Sequence, residues 1–394
     1  MHIGIDARCL LANTRTGVGE YAYELLNALF KIDKKNEYYL FCNSATKKLE
    51  TGNCPALSGI PLRREKFWGN VHLVCTKYPN KLFNLSLQLF RRPRLDDLII
   101  RQLGQASNVD LWFSPNLNFT ALSSRVKHIL TIHDLSFEHF PDCYSRKRRL
   151  WHRALNPRRQ CERADLILTP SEHTRRDVIE TYSISEEKVR CIYPGLSEKF
   201  MTHDTDNMTQ VRQKYILPGK FILFLGTIEP RKNIPGLIEA YRILCSLLPA
   251  PCSLIIAGPF GWKYEPIMKA IEETEGVQYI GYVAPEDKPA LYQLADLFVY
   301  PSLYEGFGFP VLEAMAAGTP VITSNRSSLP EVTGDAAYLV NPYNVSELAR
   351  AMEMLTTDAR LRALLIERGK RRAGEFRWEE TARNFIETCK HVNM

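Results

Sequence analysis

The chain has 394 residues, of which 45% are hydrophobic and 24% are charged, the composition of an ordinary globular protein. This length favours two domains over one. The apolar runs are all shorter than the roughly 18 residues of a membrane-spanning helix, and MHIGIDARCLLANTRTG lacks the basic start and apolar core of a signal peptide. The ten cysteines include no CxxC pair. We therefore expect reduced thiols in a cytoplasmic protein, without a disulfide framework or a zinc site.

The net charge of +7 is unevenly distributed. Residues 1 to 200 contain 31 lysine and arginine residues against 21 acidic ones, whereas the remainder contains 20 against 23. Positive charge is densest in FRRPRLDDLIIRQ (90 to 102), which follows the apolar LFNLSLQLF, and in SRKRRLWHRALNPRRQCER (145 to 163). Such runs form either solvated helix faces or a surface for an acidic partner. The pairing of apolar and basic residues favours an anionic membrane over nucleic acid as that partner.

Strand-like and helical patterns alternate along the first half of the chain. HIGIDA (2 to 7) is a short apolar strand, and the turn TRTGVG precedes a helix with Tyr21, Leu25 and Leu29 on one face. Further strands are predicted at YYLFCN, LWFSP, HILTIHD, DLILTPS and VRCIYPG. Near residue 200 the polar segment MTHDTDNMTQ indicates a domain boundary.

A second alternation follows this boundary. Its strands are FILFLG, SLIIAG, VQYIGYV, DLFVYPS and PVITS, and its helices include IPGLIEAYRILCSLL, residues 264 to 274, DKPALYQLA and the helix with Glu313. Alternating strands and helices build parallel sheets covered on both faces. We predict an α/β fold of two Rossmann-like domains facing across a cleft, residues 1 to 198 and 199 to 376.

Chemically distinctive residues follow several of these strands. In open parallel sheets, ligands bind beyond the carboxyl ends of the strands. The residues at predicted strand ends are Gly17 and Gly19, His133 and Asp134, Arg231 and Lys232, and Glu305. We therefore expect all four groups to line one cleft.

The segment EGFGFPVLEAMAAG contains two glutamates eight positions apart, Glu305 and Glu313. Pro310 suits a helix start, and the turn residues Gly306, Phe307 and Gly308 offer backbone N–H groups to a bound phosphate or hydroxyl. We expect Glu313 in the first helical turn, where its carboxylate is favoured by the helix dipole and accepts hydrogen bonds from a ribose diol. A structural acid at a helix start is the alternative for Glu313.

These residues resemble a known family. EGFGFPVLEAMAAGTPVITSN is similar to the E-x7-E segment of glycosyltransferase family 4, the retaining GT-B enzymes. The resemblance extends to GIDARCL, TGVGEYAYELL, TIHDL, ADLILTPSEHTRRDVI, FLGTIEPRKNIPGLIEAY and LIIAGP, and so covers nearly the whole chain. FRWEETARNF resembles the helix that returns to the first domain in this family, which implies that residues 377 to 394 do the same.

The resemblance implies roles for matching residues. Glu305 is expected beside the donor sugar near the reacting centre, Glu313 on the nucleotide ribose, and Arg231 and Lys232 on the donor diphosphate. A departing diphosphate gains negative charge, which two cations stabilise. Many relatives have Gly-Arg where this chain has Gly226-Thr227, so one phosphate ligand is missing or is replaced by Arg231.

The resemblance also implies contacts from the first domain. His133 is expected to touch the donor sugar, against the alternative of a satisfied core histidine. Asp134 caps the next turn, orients His133 or helps to accept the acceptor's proton. Gly17 and Gly19 are expected to let the first loop close over the diphosphate and acceptor, and the backbone at 281 to 283 to contact the base.

We therefore predict a retaining, metal-independent glycosyltransferase without a cofactor, which uses a nucleotide diphosphate sugar. GTIEPRKN and SNRSSLPEVTGDAAYLVNP resemble mannosyltransferases of O-antigen and other surface polysaccharides, so the expected donor is GDP-mannose. Rhamnosyl or glucosyl transfer, a GT-B nucleotide-sugar 2-epimerase and a non-catalytic nucleotide-binding relative are the alternatives. The expected acceptor is a saccharide, free or lipid-linked, on a protein that touches the inner face of an anionic membrane and binds no nucleic acid.

Overall fold

The computed structural model describes residues 1–11, 17–44, 69–103, 108–248 and 252–393. The chain divides into two compact units. Unit 1 comprises Met1–Asp134, Leu150–Gly195 and Arg377–Met394, and unit 2 comprises Leu135–Arg149 and Leu196–Phe376.

This division differs in detail from the domain ranges expected from the sequence. Leu135–Arg149, inside the expected first domain, is grouped with unit 2. The polar segment MTHDTDNMTQ lies within unit 2, and a helix of that unit begins at its fifth residue, Thr205. Residues 377 to 394 are grouped with unit 1.

The strands alternate with helices in both units. In chain order the strands are β1 His2–Asp6, β2 Glu37–Asn43, β3 Val71–Thr76, β4 Leu111–Ser114, β5 Lys127–Thr131, β6 Leu166–Thr169, β7 Val189–Cys191, β8 Phe221–Leu225, β9 Ser253–Ala257, β10 Val277–Tyr279, β11 Leu297–Tyr300, β12 Val321–Ser324 and β13 Tyr338–Val340.

The helices cover the faces of the two sheets. In chain order the α-helices are α1 Gly17–Ile32, α2 Asn80–Leu89, α3 Leu95–Leu103, α4 Ser136–His139, α5 Arg146–Leu155, α6 Pro157–Arg163, α7 Glu172–Tyr182, α8 Thr205–Lys214, α9 Ile234–Leu247, α10 Glu265–Glu272, α11 Lys288–Leu294, α12 Phe309–Ala317, α13 Leu329–Thr333, α14 Val345–Thr357, α15 Ala359–Ala373 and α16 Trp378–Asn393. Short 3-10 helices occur at Ala7–Leu11, Pro141–Cys143, Glu186–Lys188, Glu198–Phe200 and Pro230–Lys232.

Unit 1 contains a seven-stranded parallel sheet in the order β3-β2-β1-β4-β5-β6-β7. His2 lies opposite Glu37 and Asp6 opposite Phe41 in the β1–β2 pair. All residues of β4 and β6 are buried, as expected for strands with helices on both faces. The predicted buried face of α1 is confirmed, because Tyr21, Leu25 and Leu29 are all inaccessible.

The last helix of the chain is part of the core of unit 1. The rings of Trp378 and Tyr21 are 5.8 Å apart, and those of Phe385 and Phe113 are 4.5 Å apart. Thr381 donates its hydroxyl to the carbonyl of Tyr193 at 2.8 Å. Helix α16 therefore covers α1 and the sheet of unit 1 with a fully buried aromatic face.

Unit 2 contains a six-stranded parallel sheet in the order β10-β9-β8-β11-β12-β13. The strand order reverses at β8, which has β9 on one side and β11 on the other. In sheets of this kind the crevice outside the carboxyl ends at the reversal point binds the ligand. We therefore expect a ligand-binding site in the loops after β8 and β11.

The predicted fold of two parallel-sheet Rossmann-like domains is confirmed. Two strands of the described chain, the edge strands β3 and β13, were not predicted from the sequence. Within the ranges given above, no helix combines the length and the apolar character that a membrane span needs.

Candidate functional site

The carboxyl ends of β8 and β11 bring together residues that are far apart in sequence. Arg231 and Lys232 lie in the 3-10 turn Pro230–Lys232 after β8, and Glu305 lies five residues after the end of β11. Because β8 and β11 are neighbours in the sheet, these side chains meet at the reversal point. This arrangement agrees with their predicted positions at strand ends.

The three side chains form a buried ionic cluster with Glu229. Glu305 Oε1 lies 2.5 Å from Lys232 Nζ, and Oε2 lies 3.1 Å from Arg231 Nη1. Arg231 Nη2 also pairs with Glu229 Oε1 at 2.6 Å. All four residues are less than 10% exposed. The cluster contains two cations and two anions, so it buries no net charge.

The cluster changes the proton affinity of its members. Burial alone would raise the pKa of Glu305, but the positive charges of Arg231 and Lys232 lower it to about 2. Burial and the charge of Arg231 lower the pKa of Lys232, and Glu305 opposes that shift. Glu305 is therefore a carboxylate at neutral pH.

Neighbouring polar groups hold the cluster in place. Ser302 donates its hydroxyl to Glu305 Oε1 at 2.6 Å, and Lys232 donates to the Tyr300 hydroxyl at 2.5 Å. Ser327 Oγ accepts the backbone N–H of Glu305 at 2.9 Å. These residues and Glu229 were not predicted from the sequence. The motif EPRK, in which Glu229 stands two positions before Arg231, is the sequence feature that could have identified Glu229.

The glycine turn leads directly into α12. Gly308 occupies the N-cap position with φ of 106°, a conformation that glycine tolerates and other residues rarely adopt. A Cβ atom at this position would lie 2.7 Å from Leu329 Cδ2. Ser328 fixes the turn by donating its hydroxyl to the carbonyls of Glu305 and Phe307, both at 2.9 Å.

Phe307 contributes its backbone and not its side chain to this turn's surface. Its ring is buried against Phe309 and Phe376, with centroid distances of 5.1 and 5.6 Å. Gly306 is buried as well. Ligand contacts from these two predicted residues would therefore come from main-chain atoms.

Glu313 is the fifth residue of α12, one residue beyond the first turn in which we expected it. The expectation failed because the helix already begins at Phe309, before Pro310. The carboxylate is 8% exposed, and Oε2 accepts a hydrogen bond from the Tyr292 hydroxyl at 2.8 Å. Tyr292 is its sole hydrogen-bond partner among the described residues, so Oε1 retains its acceptor capacity.

The ends of β8, β9 and β10 approach one another closely. Gly258 has φ of 134°, and a Cβ there would lie 1.9 Å from the carbonyl oxygen of Gly226. Its N–H donates to the carbonyl of Gly281 at 2.8 Å. The predicted base-contact segment at 281 to 283 therefore adjoins the end of β9, which in turn approaches Gly226 at the end of β8.

His133 lies in unit 1, two residues after the end of β5. Its Nε2 is 2.8 Å from the carbonyl oxygen of Pro115, and its ring meets the edge of Tyr21 at 4.8 Å. Burial lowers its pKa, more than the Pro115 carbonyl and Asp134 raise it. The carbonyl can only accept, so the neutral ring donates from Nε2 and keeps Nδ1 as an acceptor.

The other two predicted residues of unit 1 begin α1. Gly17 is its first residue and Gly19 its third, so both lie in a helical turn and not in a loop. The preceding residues 12–16, which form most of the expected loop, lie outside the described residues. Helix α4, which follows Asp134, has Leu135 at its N-cap and no capping bond from a side chain.

The structure thus brings Arg231, Lys232 and Glu305 into direct contact, with Glu313 on the helix that follows their turn. The predicted residues of unit 1 are His133, Asp134, Gly17 and Gly19. Within the described ranges, no group of three or more histidine, cysteine or acidic residues is arranged to hold a metal ion. The nine cysteines in those ranges are all free.

Comparison with known proteins identifies the family. Residues 208–372 match the family model for glycosyl transferases group 1, and residues 15–200 match the model for glycosyltransferase family 4. O-antigen chain mannosyltransferase B of Escherichia coli is 35% identical over 266 residues, which cover 66% of this chain and 70% of that protein. The chain belongs to glycosyltransferase family 4. The predicted family and the predicted glycosyltransferase activity are both confirmed.

Further relatives of this family 4 glycosyltransferase agree with that assignment. Serotype-specific mannosyltransferase WbdA of Escherichia coli is 37% identical over 245 residues, which are 59% of this chain and 29% of that protein. Among solved structures, Anabaena HepE in complex with UDP and glucose has a TM-score of 0.70 at 18% identity, with 99% of each chain covered. WaaG, a glycosyltransferase of lipopolysaccharide biosynthesis, has a TM-score of 0.68 at 16% identity, with 98% of each chain covered. At these identities the structures support the GT-B fold alone.

Proposed function

We propose that the protein transfers mannose from GDP-mannose to a saccharide acceptor, with retention of configuration, in the synthesis of O-antigen or another surface polysaccharide. The observation that carries this proposal is the 35% identity to O-antigen chain mannosyltransferase B over 266 residues. WbdA, at 37% identity, is also a mannosyltransferase. HepE was crystallised with UDP and glucose, but 18% identity does not favour a UDP donor here.

Lys232 is proposed to stabilise the departing diphosphate. An ammonium group has three N–H donors, and Lys232 directs two of them to Glu305 and Tyr300. The third is available to a phosphate oxygen, which gains negative charge as the glycosidic bond breaks. The neutral cluster would thus accept a diphosphate without first breaking its buried ion pair.

Glu305 and Glu313 are proposed to recognise the two ends of the donor. Glu305 is held ionised, and its carboxylate would accept hydrogen bonds from donor-sugar hydroxyls near the reacting centre. Glu313 keeps Oε1 as an acceptor beside the Tyr292 bond, which suits a ribose hydroxyl. Between them, the backbone of the Gly306–Gly308 turn and the start of α12 offer N–H groups to the diphosphate.

The residues of unit 1 have proposed roles as well. His133 would accept a hydrogen bond from a sugar hydroxyl through Nδ1, because Nε2 is occupied by Pro115. Asp134 would orient His133 or receive the acceptor's proton. We propose a same-face transfer in which a departing phosphate oxygen helps to deprotonate the acceptor, with protein cations rather than a metal ion stabilising the diphosphate.

A lipid-linked acceptor and contact with an anionic membrane complete the proposal. Helix α2 supports it, since it leaves Leu82, Leu85 and Leu89 at 66%, 49% and 61% exposure. Arginines 91, 92 and 94 follow the same helix. An apolar helix face with adjacent cations is the composition of an interfacial helix.

A donor screen tests the proposed function. We expect GDP to bind more tightly than UDP or dTDP in calorimetry, and GDP-mannose to yield an α-linked product with a mannan acceptor. NMR of the anomeric carbon would report retention. Preferred binding of UDP or dTDP would contradict the mannosyl donor, and conversion of a nucleotide sugar without acceptor would indicate an epimerase.

A further inference from the structure

Unit 1 contains a pocket of about 570 Å³ that none of the candidate site residues lines. It lies at the amino ends of β5 and β6, where Val126 and Asp165 precede these strands and His128 is near the start of β5. His133 follows the carboxyl end of β5. The pocket therefore lies at the opposite end of the strands from His133.

Four arginines line this pocket. Arg91, Arg92 and Arg94 come from the segment after α2, and Arg163 is the last residue of α6. The two basic runs of the sequence thus converge on one cavity. Burial lowers the pKa of Arg163, as do the charges of Arg91 and Arg159, whereas the charge of Glu162 opposes that shift.

The arginines have no carboxylate partners in the described part of the chain. Asp165 also lines the pocket, but its oxygens bind Lys127 Nζ at 3.1 Å and the backbone N–H of His128 at 2.8 Å. The nearby Glu162 pairs with Arg158 at 3.2 Å. Positive charge in the pocket is therefore left for an external anion.

Two other residues that line the pocket add further features. Ser123 is 7% exposed, and its hydroxyl has no hydrogen-bond partner among the described residues. Phe90, which is 72% exposed, lines the pocket and directly follows α2. The exposed leucines of α2 therefore continue into the wall of the arginine pocket.

We propose that this arginine pocket binds the phosphate of an anionic phospholipid headgroup while the leucines of α2 contact the acyl region. Arginine forks match phosphate oxygens, and adjacent apolar side chains match the boundary between headgroup and acyl chains. The inference rests on the proposed membrane contact for the source of the phosphate. The arginine pocket would give that contact a defined binding site, whereas net positive charge alone would attract the membrane without one.

Flotation of the intact protein with phosphatidylcholine vesicles, with and without phosphatidylglycerol, tests the proposal. Arg94→Gln and Arg163→Gln remove pocket arginines, and Arg159→Gln removes an exposed arginine of α6 that does not line the pocket. We expect each pocket variant to bind the anionic vesicles about fivefold more weakly and Arg159→Gln to change binding by less than about twofold.

Several outcomes would overturn this site. Equal losses in Arg159→Gln and the pocket variants would indicate diffuse electrostatic binding, and equal binding to neutral vesicles would remove the role of the phosphate. Tight binding of inorganic pyrophosphate without vesicle binding would assign the pocket to a free phosphate ligand. Sugar transfer to a short water-soluble acceptor should be unchanged in all three variants, so failure of the proposed activity would be seen separately.

Discussion

Lys232 and Glu305 form a buried ion pair at 2.5 Å although 73 positions separate them in the chain. They meet because β8 and β11 are adjacent at the point where the strand order of unit 2 reverses. Breaking a buried pair by removing one partner costs more than the pair itself contributes, since the other charge is left unpaired. Each substitution in this cluster therefore needs a measurement of stability beside the measurement of activity.

Lys232→Ala should lower turnover more than donor binding. Lys232 is proposed to bind the diphosphate most strongly when its charge grows, so we expect kcat to fall at least about tenfold, about 1.4 kcal/mol. Lys220→Ala, at an exposed position of the same unit, is the control and should keep normal kcat. A higher donor KM with unchanged kcat in a folded Lys232→Ala protein would limit Lys232 to substrate binding.

Glu313→Gln should weaken GDP binding by about 1 to 3 kcal/mol, because a charge-assisted hydrogen bond to the ribose is lost. Tyr292→Phe separates this role from a structural one, since it removes the bond to Oε2 and keeps the carboxylate. We expect Tyr292→Phe to lower the melting temperature and to leave the GDP affinity nearly unchanged. Calorimetry that finds normal GDP affinity in Glu313→Gln would contradict the ribose assignment.

Stability should depend on pH through Glu305. Its pKa is about 2 in the folded protein and 4.5 when unperturbed, so the unfolded state binds the proton first. The stabilisation is fully present above pH 4.5 and is lost as the pH falls toward 2. In urea unfolding, the difference in free energy between wild type and Glu305→Gln should shrink across that window. A difference that is constant from pH 6 to pH 3 would mean that Glu305 does not titrate in this way.

Gly308→Ala should destabilise unit 2 by roughly 1 to 3 kcal/mol. The φ of 106° strains any residue with a Cβ, and Leu329 occupies the space that the methyl group would need. Gly17→Ala is a matched contrast, since it lies in a helix and its Cβ would meet nothing within 4 Å. We expect Gly17→Ala to leave thermal unfolding unchanged or slightly improved, and similar losses in both variants would be inconsistent with a strained turn.

Periodicity was sufficient to predict the two sheets but not the contacts between side chains. Apolar runs such as FILFLG and DLFVYPS predicted β8 and β11, and their ends placed Lys232 and Glu305 near the same edge. The ion pair between them also depends on side-chain geometry and on their hydrogen bonds with Tyr300 and Ser302. No local sequence pattern indicates those hydrogen bonds. The register of Glu313 depended on one residue, Phe309, which joins the helix before Pro310.

Convergence of distant segments was also beyond prediction. The runs at 90 to 102 and 145 to 163 are visible as charge in the sequence, but a shared pocket requires that Arg91 and Arg163 approach through the fold. Strands β3 and β13 were missed as well. Their residues are largely apolar, but runs of three and six residues without clear alternation do not distinguish a strand from a helix or a loop.

The position of α16 has a consequence for how the chain folds during synthesis. Trp378 and Phe385, which pack on Tyr21 and Phe113, are translated only after every residue of unit 2 has left the peptidyl-transferase centre. The parts of unit 1 that are made first, Met1–Asp134 and Leu150–Gly195, therefore cannot complete this aromatic core until synthesis has passed through unit 2. The apolar surface that α16 later covers stays exposed during that interval, and such surface makes incompletely folded chains prone to aggregation.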